Sequence, residues 1–389
     1  MNTTEYHEKL FLQSDEYFED VLMSMEVAQN EILVESYIYE ADEVGRAFDR
    51  TLMRAAQRGV KVQLLVDGIG SRDWIQKRRE LLRHAGVSVR VFHPLFLSHF
   101  LDETSQSARF FSGIYRLNLA LAHLNNRNHR KMIIIDQKIV YTGSLNISEI
   151  HSRMVRRQEA WIDIGAKFIN PPEIENLVRG HQRAWNKSSY SLSEIRTELF
   201  SRVTRLSDRD KFNVKQFLLN DTLLKRRWAG KLFRTKLRGA QKRVWLANPY
   251  IAPARSTLRE LKRAAARGVD VRIVTSSQSD VFFMPWVASA HYRELIESGI
   301  AIYEEPRHFI HAKSIILDEL HVIGSTNLNQ RSLRHDLEID ALITDPENQQ
   351  ELKKFFETLF RTAHKIQRGD TKLKSFLGRF FLFFVKYWI

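Results

Sequence analysis

The chain has 389 residues, 43% hydrophobic and 11% aromatic, which is enough apolar material for two compact domains or one large pseudo-symmetric unit. It contains no cysteine, and this excludes disulfide staples, thiolate nucleophiles and cysteine-ligated zinc. Lysine and arginine number 60 against 46 acids, a formal charge of +14 that favours polyanionic partners such as nucleic acid or an anionic membrane face.

From the amino terminus, Met1 to Lys9 is polar and charged, without the basic start, apolar core and small-residue cleavage site of a secretory signal. A cytoplasmic chain is expected. Ala28-Gln29 then leads through Ile32-Leu33-Val34 to Tyr37, and Ala240-Gln241 leads through Val244-Trp245-Leu246 to Tyr250. Both stretches predict a helix end followed by a buried strand. Ala55-Ala56-Gln57-Arg58-Gly59-Val60 runs into Val62 to Val66, as Ala265-Ala266-Arg267-Gly268-Val269 runs into Val271 to Val274. In each, a glycine ends a helix and a β-branched run opens a strand. Ala85-Gly86-Val87-Ser88-Val89 and Ser298-Gly299-Ile300-Ala301-Ile302 repeat the pattern a third time. Each half therefore alternates helix and strand, and strands this apolar need cover on both faces. The predicted class is α/β: two similar α/β sandwich halves with mixed sheets, packed side by side.

The halves are expected at 1–200 and 201–375, divided within Asn186 to Asp210, a stretch rich in serine, threonine and alternating charge. They differ in length, because Gly86 to His129 spans 43 residues and Gly299 to His311 only 12. The extra residues, an insert at about 93–128, carry Leu95-Phe96-Leu97, Phe100-Leu101 and Phe110-Phe111. They read either as a lipid-facing lip or acyl channel, or as an ordinary covering helix. Lys225-Arg226-Arg227 with Lys231, Arg234, Lys236 and Arg238 has helical spacing and reads as an exposed helix face before a polyanion-binding patch. The end, 376–389, sets Phe380, Phe381, Phe383, Phe384, Tyr387 and Trp388 among Arg379 and Lys386. It is too short to span a bilayer and suits a segment lying among anionic headgroups.

The chemical signal is also duplicated. His129-Arg130-Lys131 is followed by Asp136, and His311-Ala312-Lys313 by Asp318, each reading H-x-K-x4-D. Gly143-Ser144-Leu145-Asn146 follows the first and Gly324-Ser325-Thr326-Asn327 the second. The runs Met132 to Ile135 and Ser314 to Leu317 predict buried strands, whose alternation points His and Lys of each pair to one side. A later carboxylate recurs as Glu159 and Glu338.

These residues resemble the duplicated motifs of the phospholipase D superfamily, over most of the chain. Among its branches the sequence is most similar to bacterial cardiolipin synthases of the kind without an amino-terminal membrane anchor, above all from Asn125 to Ser148. The resemblance implies one active site shared by two phospholipase D-like halves and a covalent phosphohistidine intermediate. One neutral imidazole can attack phosphorus while a protonated one supplies the leaving-group proton. His129 is assigned as nucleophile and His311 as general acid, following the usual preference of relatives. Lys131, Lys313, Asn146 and Asn327 would hold the nonbridging oxygens. Ser144, Ser325, Glu159 and Glu338 would support them, the glutamates by fixing the histidine tautomers. Asp136 and Asp318 complete the catalytic motif and are expected to brace the site rather than touch phosphate.

No metal and no cofactor is expected. The implied reaction is phosphatidyl transfer, with phosphatidylglycerol as donor and acceptor. Anionic phospholipids and the membrane surface are the expected partners, at the cytoplasmic face of the bacterial inner membrane and peripheral to it. Nucleic acid is disfavoured, because no aromatic-and-basic platform or reader motif stands out. A phosphodiesterase or nuclease using the same histidines is the alternative, and a non-catalytic protein that binds anionic membranes is the alternative from another class.

Overall fold

The computed structural model describes residues 5–93, 126–188, 216–281, 283–371 and Gly378. The insert expected at 93–128, the linker after Ser188 and the terminal segment after Gly378 fall almost wholly outside these residues.

The first half builds a seven-stranded mixed sheet in the order β1-β7-β6-β5-β2-β3-β4. Its strands are β1 (His7–Phe11), β2 (Glu31–Ser36), β3 (Lys61–Asp67), β4 (Ser88–Phe92), β5 (Met132–Ile135), β6 (Ile139–Gly143) and β7 (Gly165–Ile169). The second half repeats this plan with β8 (Phe217–Leu219), β9 (Arg243–Ala247), β10 (Asp270–Ser276), β11 (Ala301–Glu305), β12 (Ser314–Leu317), β13 (Leu320–Gly324) and β14 (Ile339–Ile343), and adds β15 (His364–Lys365) at the edge. Strand by strand the orders superpose, β5 with β12 and β2 with β9. The three repeated sequence pairs become β2 and β9, β3 and β10, and β4 and β11, as expected. Gly59 and Gly268 both have φ of +89°, the left-handed conformation that ends a helix at low steric cost. Val60 and Val269 then donate back to the carbonyls of Ala55 and Ala264.

The outer face of the first sheet is covered by α1 (Ser14–Glu26), α2 (Glu43–Gln57) and α3 (Arg72–His84), through Phe18, Val21, Leu52 and Trp74. After β7 comes α4 (Ile174–Lys187). In the second half α5 (Leu223–Gly239), α6 (Arg255–Ala266) and α7 (Tyr292–Glu297) play the covering part. The two sheets share an inner core in which Leu33, Met132 and Ile134 meet Trp245, Ile316 and Ile323. To this core α4 adds Leu177, and α8 (Pro346–Thr362) adds Leu352 and Phe356. Burying one such side chain contributes ~1.5–3 kcal/mol, so the shared core ties the two halves together.

The basic run on α5 departs from an exposed face at one position. Arg226 is turned inward and donates to the carbonyls of Asn220 and His335. Among the described residues, no helix is long and apolar enough to cross a membrane.

Candidate active site

β5 and β12 place the chemistry. In an extended chain alternate residues share a side, so His129 and Lys131 point with Ile133, and His311 and Lys313 with Ile315. Each His-Lys segment is then docked on the opposite half. The backbone N–H of His129 donates to the carbonyl of Leu337 (3.0 Å), while Leu337 donates to Arg127 (2.9 Å). In the same way His311 and Ala312 donate to Ile162 (2.9 and 2.8 Å). Residues 337 and 162 stand immediately before Glu338 and Asp163, so each short parallel bridge carries a carboxylate across the seam.

The result is a crossed pair. Nδ1 of His129 lies 3.0 Å from Glu338 of the second half, and Nδ1 of His311 lies 2.8 Å from Asp163 of the first. Both carboxylates are buried to less than 3% exposure. The serines of the two Gly-Ser turns finish the arrangement: Ser144 Oγ donates to Asp163 (2.6 Å) and Ser325 Oγ to Glu338. With Nδ1 committed to a carboxylate, Nε2 is the nitrogen each ring can offer to a reacting group. Lys131 Nζ sits 3.2 Å from Nε2 of His129 and 3.0 Å from its carbonyl; Lys313 Nζ sits 2.7 Å from the carbonyl of His311.

Burial dominates the electrostatics. It brings Lys131 down to about 8 and Lys313, aided by repulsion from Lys131, down to about 7. Burial and then the cations of Lys131 and Lys313 hold His129 well below its ordinary value, and burial with Lys313 depresses His311, Asp163 opposing. The carboxylates differ. Burial lifts Glu338 to about 7 despite the neighbouring Lys131. Burial pushes Asp163 upward too, yet His311 and His151 outweigh it and keep Asp163 well below the usual carboxylate range.

His129, Lys131, His311, Lys313, Ser144, Ser325 and Glu338 are thus assembled as the sequence predicted. Asn146 is buried beside them, its Oδ1 accepting weakly from the Ile38 N–H (3.4 Å), and Asn327 lines the space next to Lys313. Three expectations are corrected. The Glu159 side chain is 76% exposed and pairs with Arg156; Asp163 holds the position expected for it, because a run of short turns from Glu149 to Glu159 lengthens this loop. Asp136 and Asp318, counted with the catalytic motif, lie away from the imidazoles. They stand at the far ends of β5 and β12, each accepting three backbone N–H groups, from Gln29, Asn30 and Glu31 and from Gln241, Lys242 and Arg243.

Sequence reading missed four residues. Asp163 was findable, since Ile162-Asp163-Ile164 and Leu337-Glu338-Ile339 precede equivalent strands. Tyr37, whose ring centroid is 4.6 Å from that of His129, and Trp161, 5.1 Å from His311, wall the two imidazoles. His151 gives Nδ1 to Asp163 at 2.6 Å, and its Nε2 accepts from the Asn146 N–H at 3.3 Å. His151, Asp163 and His311 each offer one ligand atom within 4.8 Å of one another. Both Nδ1 contacts have hydrogen-bond lengths, so a metal would have to displace both protons; the set fits a hydrogen-bonded row better than a cation site.

Known proteins resemble this chain in sequence and in fold. Residues 21–164 and 233–360 match the family described as "Cardiolipin synthase, PLD-like domain". Cardiolipin synthase 1 of Bacillus anthracis is 26% identical over 375 residues, covering 95% of this chain and 70% of the relative. Cardiolipin synthase of Geobacillus kaustophilus is 28% identical over 367 residues, covering 94% and 68%. In architecture the chain is similar to phosphatidylserine synthase of Haemophilus influenzae, with a TM-score of 0.69 at 15% identity, covering 98% of this chain and 93% of that one. The duplicated strand order, the paired His-Lys segments and the match across both halves agree: this chain belongs to the cardiolipin synthase family of phospholipase D-like proteins.

Proposed function

We propose that the chain is a cardiolipin synthase, moving a phosphatidyl group from one phosphatidylglycerol to another through phosphohistidine at a single site. The crossed pairing carries this reading, because each half holds a histidine whose carboxylate partner lies in the other half, so neither half is a complete centre. His129 Nε2 attacks phosphorus, the P–O bond to glycerol breaks, and His311 gives that oxygen its proton. His311, now neutral, takes the proton from a hydroxyl of the second phosphatidylglycerol, whose oxygen attacks phosphorus and releases His129.

The difference between the carboxylates supports this division. An ionised Asp163 stabilises imidazolium at His311, and a bound phosphodiester anion offsets the lysine cations that disfavour it. Glu338, lifted to about 7, stabilises a charged His129 less and leaves it the neutral nucleophile. Lys131 and Lys313, with Asn146 and Asn327, are placed to receive the nonbridging oxygens. The terminal segment and the +14 charge suit peripheral attachment to an anionic membrane, at the cytoplasmic face.

Mass-spectrometric lipid analysis after incubation with phosphatidylglycerol vesicles tests the reading. Cardiolipin and glycerol are expected in equal amounts; phosphatidic acid alone would make the chain a hydrolase, and unchanged lipid would remove the proposal.

A further inference from the structure

A cavity of about 670 Å³ lies between α5 and the sheet of the second half, with α4 of the first half closing one side. Lys313 and Asn327 line one part of it, Ile315 and Leu317 of β12 its floor, and Trp228 and Leu232 of α5 its roof. The matching place in the first half, lined by Lys131, Ile133 and Asn146, retains about 10 Å³, with Tyr17 and Phe18 of α1 among its walls. The repeat explains the difference. Tyr17 and Phe18 stand eleven and ten residues before the Ala28-Gln29 pair; Ala229 and Gly230 stand eleven and ten before Ala240-Gln241. Two aromatic rings that fill one half are a methyl group and a hydrogen in the other.

A hollow of this size forgoes the packing that protein interiors normally have, and it falls in the range of ~300–1,000 Å³ found for small-molecule sites. Its walls are apolar along β12 and the facing side of α5 and polar along α4, where Glu173, Asn176, Arg179 and Arg183 line it, and some of the polar groups point to a ligand. Both side-chain polar atoms of Asn220, 1% exposed, and Oδ1 of Asn327, 5% exposed, have no hydrogen-bond partner among the described residues. Exposed Lys236 also lines it. The chemistry asked for is that of an anionic amphiphile: a long apolar body, a few accepting and donating oxygens, and a negative head.

We propose that this cavity is a subsite for one acyl chain of the phospholipid whose phosphate lies at Lys313, with lipid oxygens meeting Asn327 and Asn220; it rests on the phosphatidyl-transfer reading above. Because the first half is filled, the two lipids of one reaction cycle are held unequally, one by its tail inside the protein and the other from the membrane side.

Ala229→Phe restores bulk of the kind that Tyr17 supplies. It is expected to lower kcat/KM for long-chain phosphatidylglycerol roughly tenfold while changing that for the dibutyryl lipid less than about twofold. No loss on either, or equal losses in a variant that melts like its parent, overturns the proposal. Should the variant not fold, the unmutated chain gives a second readout: phosphatidylglycerol brominated along its acyl chains quenches tryptophan emission, and the quenched part is missing from Trp228→Phe. Quenching that ignores Trp228 overturns the subsite. So does Trp228 quenching that arises only after residues 379–389 are removed, an outcome that gives the cavity to the chain's own apolar end. Trp228-dependent quenching in a chain that transfers no phosphatidyl group keeps the acyl subsite and removes the transferase reading.

Discussion

The two halves set the same residue types on the same strands and differ in what surrounds each carboxylate. Asp163 lies between two imidazoles, His311 and His151, which keep it well below the usual carboxylate range although burial opposes them. Glu338 faces one imidazole and the hydroxyls of Ser325 and Ser332, and burial lifts it to about 7. Repetition thus places two equivalent histidines at one seam, and divergence at the carboxylates gives each a different electrostatic partner. A symmetric site would offer no reason for one histidine to attack and the other to donate.

Removing either ring should have the largest effect. His129→Ala and His311→Ala are each expected to lower kcat/KM by about four orders of magnitude, with melting temperatures that confirm the fold. If one variant keeps substantial transfer, the halves do not share a centre. The carboxylates come next. Asp163→Asn and Glu338→Gln are expected to reduce kcat about a hundredfold through lost orientation of the rings. The loss at Asp163 should be the larger, since it alone faces the histidine proposed as general acid; Glu159→Gln should change nothing, and steady-state kinetics of the three variants decide it.

Asp136→Asn and Asp318→Asn sharpen the distinction between bracing and catalysis. Each weakens hydrogen bonds from three backbone N–H groups at a turn between strands, so a fall of a few degrees in melting temperature is expected for the ~1 kcal/mol scale of such bonds, with kcat retained. A large loss of kcat without loss of stability would return them to the catalytic set.

The smallest effect is a change with pH. The folded-state value of Glu338 lies above its ordinary 4.5, at about 7, so its contribution is fully present below pH 4.5 and is lost as pH rises through 7. Glu338→Gln cannot ionise. Its melting temperature relative to the parent should therefore shift in its favour from pH 4.5 to above 7, and a difference independent of pH would show that Glu338 is ionised throughout.

Much of this was legible because it is written twice. Two H-x-K-x4-D runs, two Gly-Ser turns and three helix-stop-then-strand pairs fix the order of β2 to β4 against β9 to β11 and place the His-Lys segments at the starts of β5 and β12. Glu338 was found as a carboxylate that recurs after each motif, and the same recurrence misled at Glu159, because loop length varies while a carboxylate just ahead of a pairing strand does not move. His151 had no counterpart to expose it; the second half uses hydroxyls around Glu338 instead. The hollow under α5 was also in the sequence, as Ala229-Gly230 against Tyr17-Phe18, but a missing side chain gains meaning only when the neighbours fail to close over it.

The most direct test of two histidines in unequal roles uses a p-nitrophenyl ester of phosphatidic acid, whose leaving group departs without a proton. With His311→Ala we expect a stoichiometric burst of nitrophenol and a phosphatidyl adduct on His129, seen by intact-protein and peptide mass spectrometry; with His129→Ala we expect neither. Equal bursts from both variants, each labelled on its remaining histidine, would contradict the account.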